Sequence, residues 1–183
     1  MHPIDVGRAV QELIDAAPGS VFISDGGEFG QWAQACVQAS DRVINGPGGS
    51  IGSAIPFALA AKMARPGALV VAMTGDGACG YHLLELETAV RAGLPVTIVV
   101  GNDACWNAEH QIQLRTYGKA RAHGCELLPT RYDLAAAALG AHGELVTRPG
   151  DLPAALSRAA ASGKPACVNV MIERLPAPTI RAQ

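Results

Sequence analysis

Apolar runs rich in valine and isoleucine alternate along this chain with longer stretches in which apolar residues recur every three or four positions. Residues 20–24 (SVFIS), 68–73 (ALVVAM), 96–101 (VTIVVG) and 166–172 (ACVNVMI) read as strands, with weaker candidates near 42–44 and 143–147. The four stronger runs are apolar throughout rather than alternating, as a parallel sheet covered on both faces demands. Helical spacing predicts helices over 4–16, 51–64, 81–92, 132–139 and 151–162; in the third, Leu83, Leu86 and Val90 share one face. Pro3, Pro149 and Pro153 fall at or near helix starts, and Gly67, Gly93 and Gly140 fall where helices close and a left-handed residue is useful. The pattern predicts an α/β fold: a doubly wound, mostly parallel sheet with helices on both faces. From about 103 to 131 the periodicity weakens, and that stretch carries Trp106, His110, Tyr117 and His123. Long irregular segments after strands tend to be working surfaces, so this one is expected to face the site.

Composition narrows the function classes. With 183 residues the chain suits one domain with a sizeable core, read here as residues 1–174 followed by an extended tail, 175–183. Charged residues are 16% and the net charge is −2, which leaves no basic surface for nucleic acid. The apolar runs fall far short of the roughly 20 residues of a bilayer span, and no signal-peptide pattern opens the chain. The expectation is a soluble, cytoplasmic protein that engages neither nucleic acid nor membrane. The five cysteines, Cys36, Cys79, Cys105, Cys125 and Cys167, are widely spaced without a Cys-x-x-Cys pair, which predicts buried free thiols rather than disulfides or a zinc site.

The candidate chemistry lies in TGDGACGY at 74–81 and VGNDACW at 100–106. Asp76 and Asp103 each follow directly on a strand, and ligands of open parallel sheets gather at the carboxyl ends of strands. Gly75 and Gly77 permit a sharp turn that presents N–H groups to an anion, and a helix starting after Gly80 would add its positive end. A hard divalent ion held by one or two carboxylates, with diphosphate oxygens completing its shell, is how Mg²⁺ is usually bound. A lone Gly-Asp-Gly is also a common surface turn; the paired spacing separates the two readings. Gly46, Gly48 and Gly52 miss the Gly-x-Gly-x-x-Gly spacing of a dinucleotide fingerprint, and there is no Walker sequence.

The run GDGACGYHLLELETAVRAGLPVTIVVGND, with GGSIGSAIPFALAAKMA at 48–64 and FISDGGEFGQW at 22–32, resembles the diphosphate-binding domain of thiamine diphosphate-dependent enzymes of the acetolactate synthase and 2-oxo acid decarboxylase type. The likeness runs in order from about residue 2 to about 172 and implies the three-layer α/β/α fold of that family, with thiamine diphosphate and Mg²⁺ as cofactors. It makes Asp76 a metal ligand. Since 103 − 76 = 27, Asp103 falls on the second Asn of the family's Asn-Asn pair and Asn102 on the first. Asp103 is then the side-chain ligand, Asn102 its rival, and the Cys105 carbonyl a third ligand. The aspartate departs from the family pattern: it keeps an oxygen donor but adds a negative charge beside a diphosphate. Gly75, Gly77 and Ala78 would surround the diphosphate. Gly49, Ser50 and Ile51 would meet the aminopyrimidine, the Gly49 carbonyl accepting from its amino group and Ile51 wedging the cofactor into its bent form. Gly27, and more weakly Gly26 and Glu28, would face the cofactor or a partner domain. Glu109 stands where some family members keep a catalytic glutamate, with His110 beside it; His82 and Trp106 read first as packing residues.

The same resemblance implies what is missing. A second glutamate that activates the cofactor ring sits on a separate pyrimidine-binding domain in the family, and nothing in this sequence resembles that domain. The chain is therefore expected to be part of a larger synthase or decarboxylase, or a separately encoded subunit. It would work in a homo-oligomer on a small 2-oxo acid, as half the active site of a C–C bond lyase or carboligase. The competing reading is a non-catalytic assembly module or a general nucleotide-binding α/β domain, to which the altered Asn pair lends weight.

Overall fold

The computed structural model describes residues 1–45 and 49–178. In chain order the elements are α1 (Pro3–Asp15), β1 (Val21–Ser24), α2 (Gly27–Cys36), β2 (Asp41–Ile44), α3 (Ala54–Ala64), β3 (Val70–Gly75), α4 (Asp76–His82), α5 (Glu85–Ala92), β4 (Thr97–Asn102), α6 (Asn107–Tyr117), α7 (Tyr132–Ala138), β5 (His142–Val146), α8 (Leu152–Ala161) and β6 (Ala166–Met171). The six strands form one sheet in the order β2-β1-β3-β4-β6-β5, and every pairing is parallel. No described helix is long and apolar enough to cross a membrane.

Strand alternation divides the core into two layers. On β3, Val71 and Met73 face a cluster with Val6 and Val10 of α1, Phe29 and Ala33 of α2, and Leu152 and Leu156 of α8. Val70 and Ala72 face the opposite cluster, with Ile55 and Leu59 of α3, Leu86 of α5 and Ala136 of α7. Each central strand therefore buries both rows of side chains, which is why these segments read as unbroken apolar runs. All five cysteines are free; Cys36 is half-buried and the other four are buried.

The structure departs from the sequence expectations at identifiable places. The helix expected at 51–64 starts only at Ala54, because Asp25 caps it from another loop, accepting the Ala54 N–H at 3.1 Å. The helix expected at 81–92 divides into α4 and α5 around Leu83 and Leu84, where Leu86 and Glu87 N–H groups reach back only three residues. No helix starts after Gly80: α4 starts at Asp76 itself. Gly93 closes α5 in the left-handed region, but α3 ends at Ala64 with Arg65 as its cap, and Gly67 plays no such part. Two helices, α2 and α6, occupy stretches read as loop. Beyond Met171 the chain runs without regular structure to 178, and the tail reading for 179–183 lies outside the described residues, as do Gly46 and Gly48.

One buried carboxylate ties the loops at the carboxyl edge of the sheet. Asp25, 0% exposed, follows β1 and accepts from Gly26 N–H (2.8 Å), Gly52 N–H (2.9 Å), Ala54 N–H and the Thr74 hydroxyl (3.3 Å). Asp25→Ala strands these four donors, so it is expected to lower unfolding free energy by about 2–4 kcal/mol in urea denaturation, with Asp25→Asn losing roughly half as much.

Candidate functional site

The strand order reverses between β1 and β3: the chain moves outward from β1 to β2, then returns to the other side for β3. The crevice at such a switch point is where open α/β sheets place ligands. A pocket of about 120 Å³ occupies it, lined by the turns after β1, β3 and β4 and by the start of α6. Of the residues singled out in the sequence, Gly27, Ile51, Gly75, Asp76, Gly77, Ala78, Asp103, Cys105 and Glu109 line this pocket; Gly49, Ser50, Asn102 and His110 do not.

Gly75 and Gly101 are paired across β3 and β4, so the residues just beyond them come off neighbouring strand tips. Asp76 is 2% exposed. Its Oδ1 accepts from the Gly77 N–H (2.9 Å) and its Oδ2 from the Cys105 N–H (3.2 Å), which links the two turns. The Tyr132 hydroxyl donates to the Asp76 carbonyl at 2.9 Å and steadies it from α7. Burial pushes the Asp76 carboxyl above its ordinary range against these backbone bonds. Asp103 is pushed up to about 7, first by burial and then by the Asp76 charge. Among the described residues, no third His, Cys, Asp or Glu completes a metal-binding cluster. Asp76 and Asp103 thus line one pocket as two acids, each raised above its ordinary range.

Asn102 is oriented differently. Its Nδ2 donates to the Thr130 carbonyl (2.9 Å) and to Asn169 Oδ1 (3.1 Å), and its Oδ1 accepts the Ala104 N–H (3.2 Å). Asn169 in turn donates to Asp133 (3.2 Å), which pairs with Arg131 at 2.6 Å. Burial raises Asp133, but the Arg131 and Asn169 bonds prevail and hold it below the carboxylate range. The Asn102 amide is thus fully engaged behind the turn, while Asp103 borders the pocket.

Close packing explains Gly77, one of the two glycines that read as anion-presenting, and also Gly101 on the neighbouring strand. A Cβ on Gly77 would lie 2.6 Å from the Trp106 ring, and one on Gly101 would lie 2.6 Å from the Phe29 ring. Trp106 covers the start of α4 and meets Tyr81 edge-on at 5.9 Å. On the other wall, Ile51 packs over Gly26. The His82 Nδ1 donates to the Gly52 carbonyl at 2.8 Å, and Asn45 Nδ2 donates to the Gly49 carbonyl at 3.2 Å. Glu109 is exposed at the pocket mouth; His110, half-buried one residue on, leaves its Nδ1 without a partner among the described residues.

Sequence reasoning missed Asp25, Tyr132, Asn169 and Arg174, which all shape the site from a distance. Asp25 alone carried a local signal, as a carboxylate ending an apolar strand just before two glycines.

Residues 25–170 match the family model described as thiamine pyrophosphate enzyme, C-terminal TPP binding domain. The chain is 40% identical over 177 residues to the acetolactate synthase large subunit IlvG of Mycobacterium tuberculosis, a match covering 94% of this chain and 32% of that protein. It is 36% identical over 182 residues to 2-hydroxyacyl-CoA lyase 2 of Homo sapiens, covering 95% of this chain and 28% of that protein. The chain thus spans about a third or less of the length of these curated relatives. Because the matched stretch includes every segment that lines the pocket, the chain belongs to the C-terminal TPP-binding domain family of thiamine pyrophosphate enzymes.

Proposed function

We propose that this chain holds the magnesium–diphosphate end of thiamine diphosphate and forms one half of the active site of a C–C bond lyase or carboligase. The observation that carries the proposal is the pair of raised carboxylates, Asp76 and Asp103, at adjacent strand tips in one pocket. In this reading they bind Mg²⁺ with the Cys105 carbonyl as third protein ligand. Asp103 is preferred over Asn102 because the Asn102 side chain is already engaged with Thr130, Asn169 and Ala104. Gly75, Gly77 and Ala78 border the diphosphate, and Ile51 supports the bend between the cofactor's rings, with Gly27 on the facing wall. Gly49 and Ser50 meet the aminopyrimidine from beyond the pocket described here.

The bound cofactor supplies a nucleophilic carbon that adds to a carbonyl; the protein contributes shape, orientation and proton management. Glu109, at the mouth, is the better placed of the two candidate proton carriers, and His110 acts only if its ring turns toward the pocket. The relatives' printed activities, acetolactate synthase and 2-hydroxyacyl-CoA lyase, both make or break a C–C bond next to a carbonyl. A 2-oxo acid or an acyl donor is accordingly the proposed substrate class. A pyrimidine-binding domain or subunit supplies the remaining wall in a homo-oligomeric, cytoplasmic enzyme, and this chain alone is expected to turn over negligibly.

Calorimetric titration of thiamine diphosphate with and without Mg²⁺ tests the reading: weak, Mg²⁺-dependent binding is expected. Preference for ATP or NAD would favour a general nucleotide-binding domain, and no binding of any of them an inert module. Asp103→Ala is expected to weaken Mg²⁺-dependent binding about tenfold or more while leaving the melting temperature unchanged or raised. Asn102→Ala should instead lower the melting temperature, because it strands Asn169 Oδ1 and the Ala104 N–H, while the Thr130 carbonyl keeps only its Asn169 donor.

Acidity follows from Asp103 at about 7. Below that pH its proton competes with the cation, so Mg²⁺-dependent affinity is expected to fall by up to about tenfold per pH unit. A carboxyl raised in the folded state favours folding when protonated and loses that contribution as pH rises from about 4 through about 7. Thermal scans should therefore show Mg²⁺ and thiamine diphosphate stabilising the chain more at about pH 8 than at about pH 6.

A further inference from the structure

The chain beyond β6 returns to the site. The Trp32 indole donates to the Pro176 carbonyl (3.0 Å), Asn107 Nδ2 to the Leu175 carbonyl (2.8 Å), and the Ala177 N–H to Glu28. At the head of this strap the Arg174 guanidinium grips the turn after β4. Its Nη2 donates to the carbonyls of Asp103 (3.1 Å) and Ala104 (3.0 Å), and its Nη1 and Nη2 pair with both oxygens of Glu126 (2.7 and 2.9 Å). Glu126 lies opposite Cys105 in an isolated antiparallel bridge. Ala104, between the gripped carbonyls, has φ +53°, a left-handed conformation that disfavours a residue with a Cβ by about 1–2 kcal/mol. Something outside the turn must hold it there, and the planar five-donor fork of an arginine suits two carbonyls and a carboxylate together.

We infer that Arg174 is a positioning residue for the metal site: oriented by Glu126, it fixes the Asp103–Cys105 turn so that both proposed ligands of that turn face the Asp76 carboxylate. This rests on the Mg²⁺ reading above. Two effects of Arg174 oppose each other. Its positive charge repels a cation in the pocket, while its hydrogen bonds preorganise the turn. The charge is partly offset by Glu126 at 2.7 Å, whereas the bonds to the two carbonyls act directly on the position of the turn, so preorganisation is the larger effect. Partners that orient metal ligands typically contribute about 10–100-fold to metal affinity.

The test is Mn²⁺ binding in the presence of thiamine diphosphate, followed by electron paramagnetic resonance on the full chain, with circular dichroism confirming that each variant is folded. Arg174→Ala is expected to weaken Mn²⁺ binding about tenfold or more and to broaden the bound spectrum. Arg174→Lys, which keeps the charge but loses the fork, should restore less than half of that loss, and Glu126→Gln should weaken binding less than Arg174→Ala does. Faster hydrogen exchange at the Cys105 and Trp106 amides in metal-free Arg174→Ala would add support. Unchanged or tighter Mn²⁺ binding by Arg174→Ala, or full rescue by lysine, overturns the inference while the Mg²⁺ reading stands. Absence of Mn²⁺ binding by the unmutated chain overturns both.

Discussion

Asp25 is the residue on which the geometry of the crevice depends. A carboxylate with no exposed surface is tolerable only when its lone pairs are satisfied, and here three backbone N–H groups and one hydroxyl converge on it. Those donors come from the β1–α2 turn, the segment leading into α3, and the end of β3. A single side chain thereby fixes the distances among three of the segments around the pocket. It also explains why α3 begins three residues later than the apolar spacing suggests: residues 51–53 are held out of the helix, with Ile51 lining the pocket.

Against that carboxylate stands a pair of acids crowded into one pocket. Asp76 receives two backbone N–H bonds, yet its charge and the loss of water together raise Asp103 to about 7. In a domain built for stability alone, one of these acids would be replaced by an amide or given a basic partner. Arg174 is close enough to lower Asp103 somewhat, but its guanidinium hydrogen-bonds backbone carbonyls and Glu126 rather than either acid. The pocket thus retains an excess of negative charge that a divalent cation would relieve, in keeping with the trade of stability for function at binding sites.

The four inner strands were legible because they are buried on both faces, and continuous apolar runs such as ALVVAM carry that information without any neighbour, whereas the half-buried edge strands β2 and β5 gave only weak runs. The paired positions of Asp76 and Asp103 were legible for a related reason: a residue just past such a run lies on the carboxyl rim whatever the packing. Helix α2 was hidden by Gly26, Gly27 and Gly30, whose low helical propensity is overcome only by tertiary contacts, among them Phe29 seated on Gly101. Helix α6 was hidden because Asn107 is its only buried residue among those described, leaving no apolar stripe to read. Tyr132, Asn169 and Arg174 reach the site from 56, 67 and 71 residues away along the chain, and no local pattern encodes such contacts.

The dimensions of the pocket bear on what it can hold alone. At about 120 Å³ it is smaller than the roughly 300–1,000 Å³ that encloses a small-molecule ligand, and a cofactor with two rings and a diphosphate would extend beyond its mouth. Its best-formed part surrounds the acid pair, whereas Gly49 and Ser50, on the segment proposed to meet the aminopyrimidine, are exposed and outside the lining. Tyr81, edge-on to Trp106 of the lining, is 61% exposed, a large ring left open beside the site. On the proposed reading, a wall closed around Asp76 and Asp103 and open around Gly49 and Ser50 would suit one side of a site completed by a second domain.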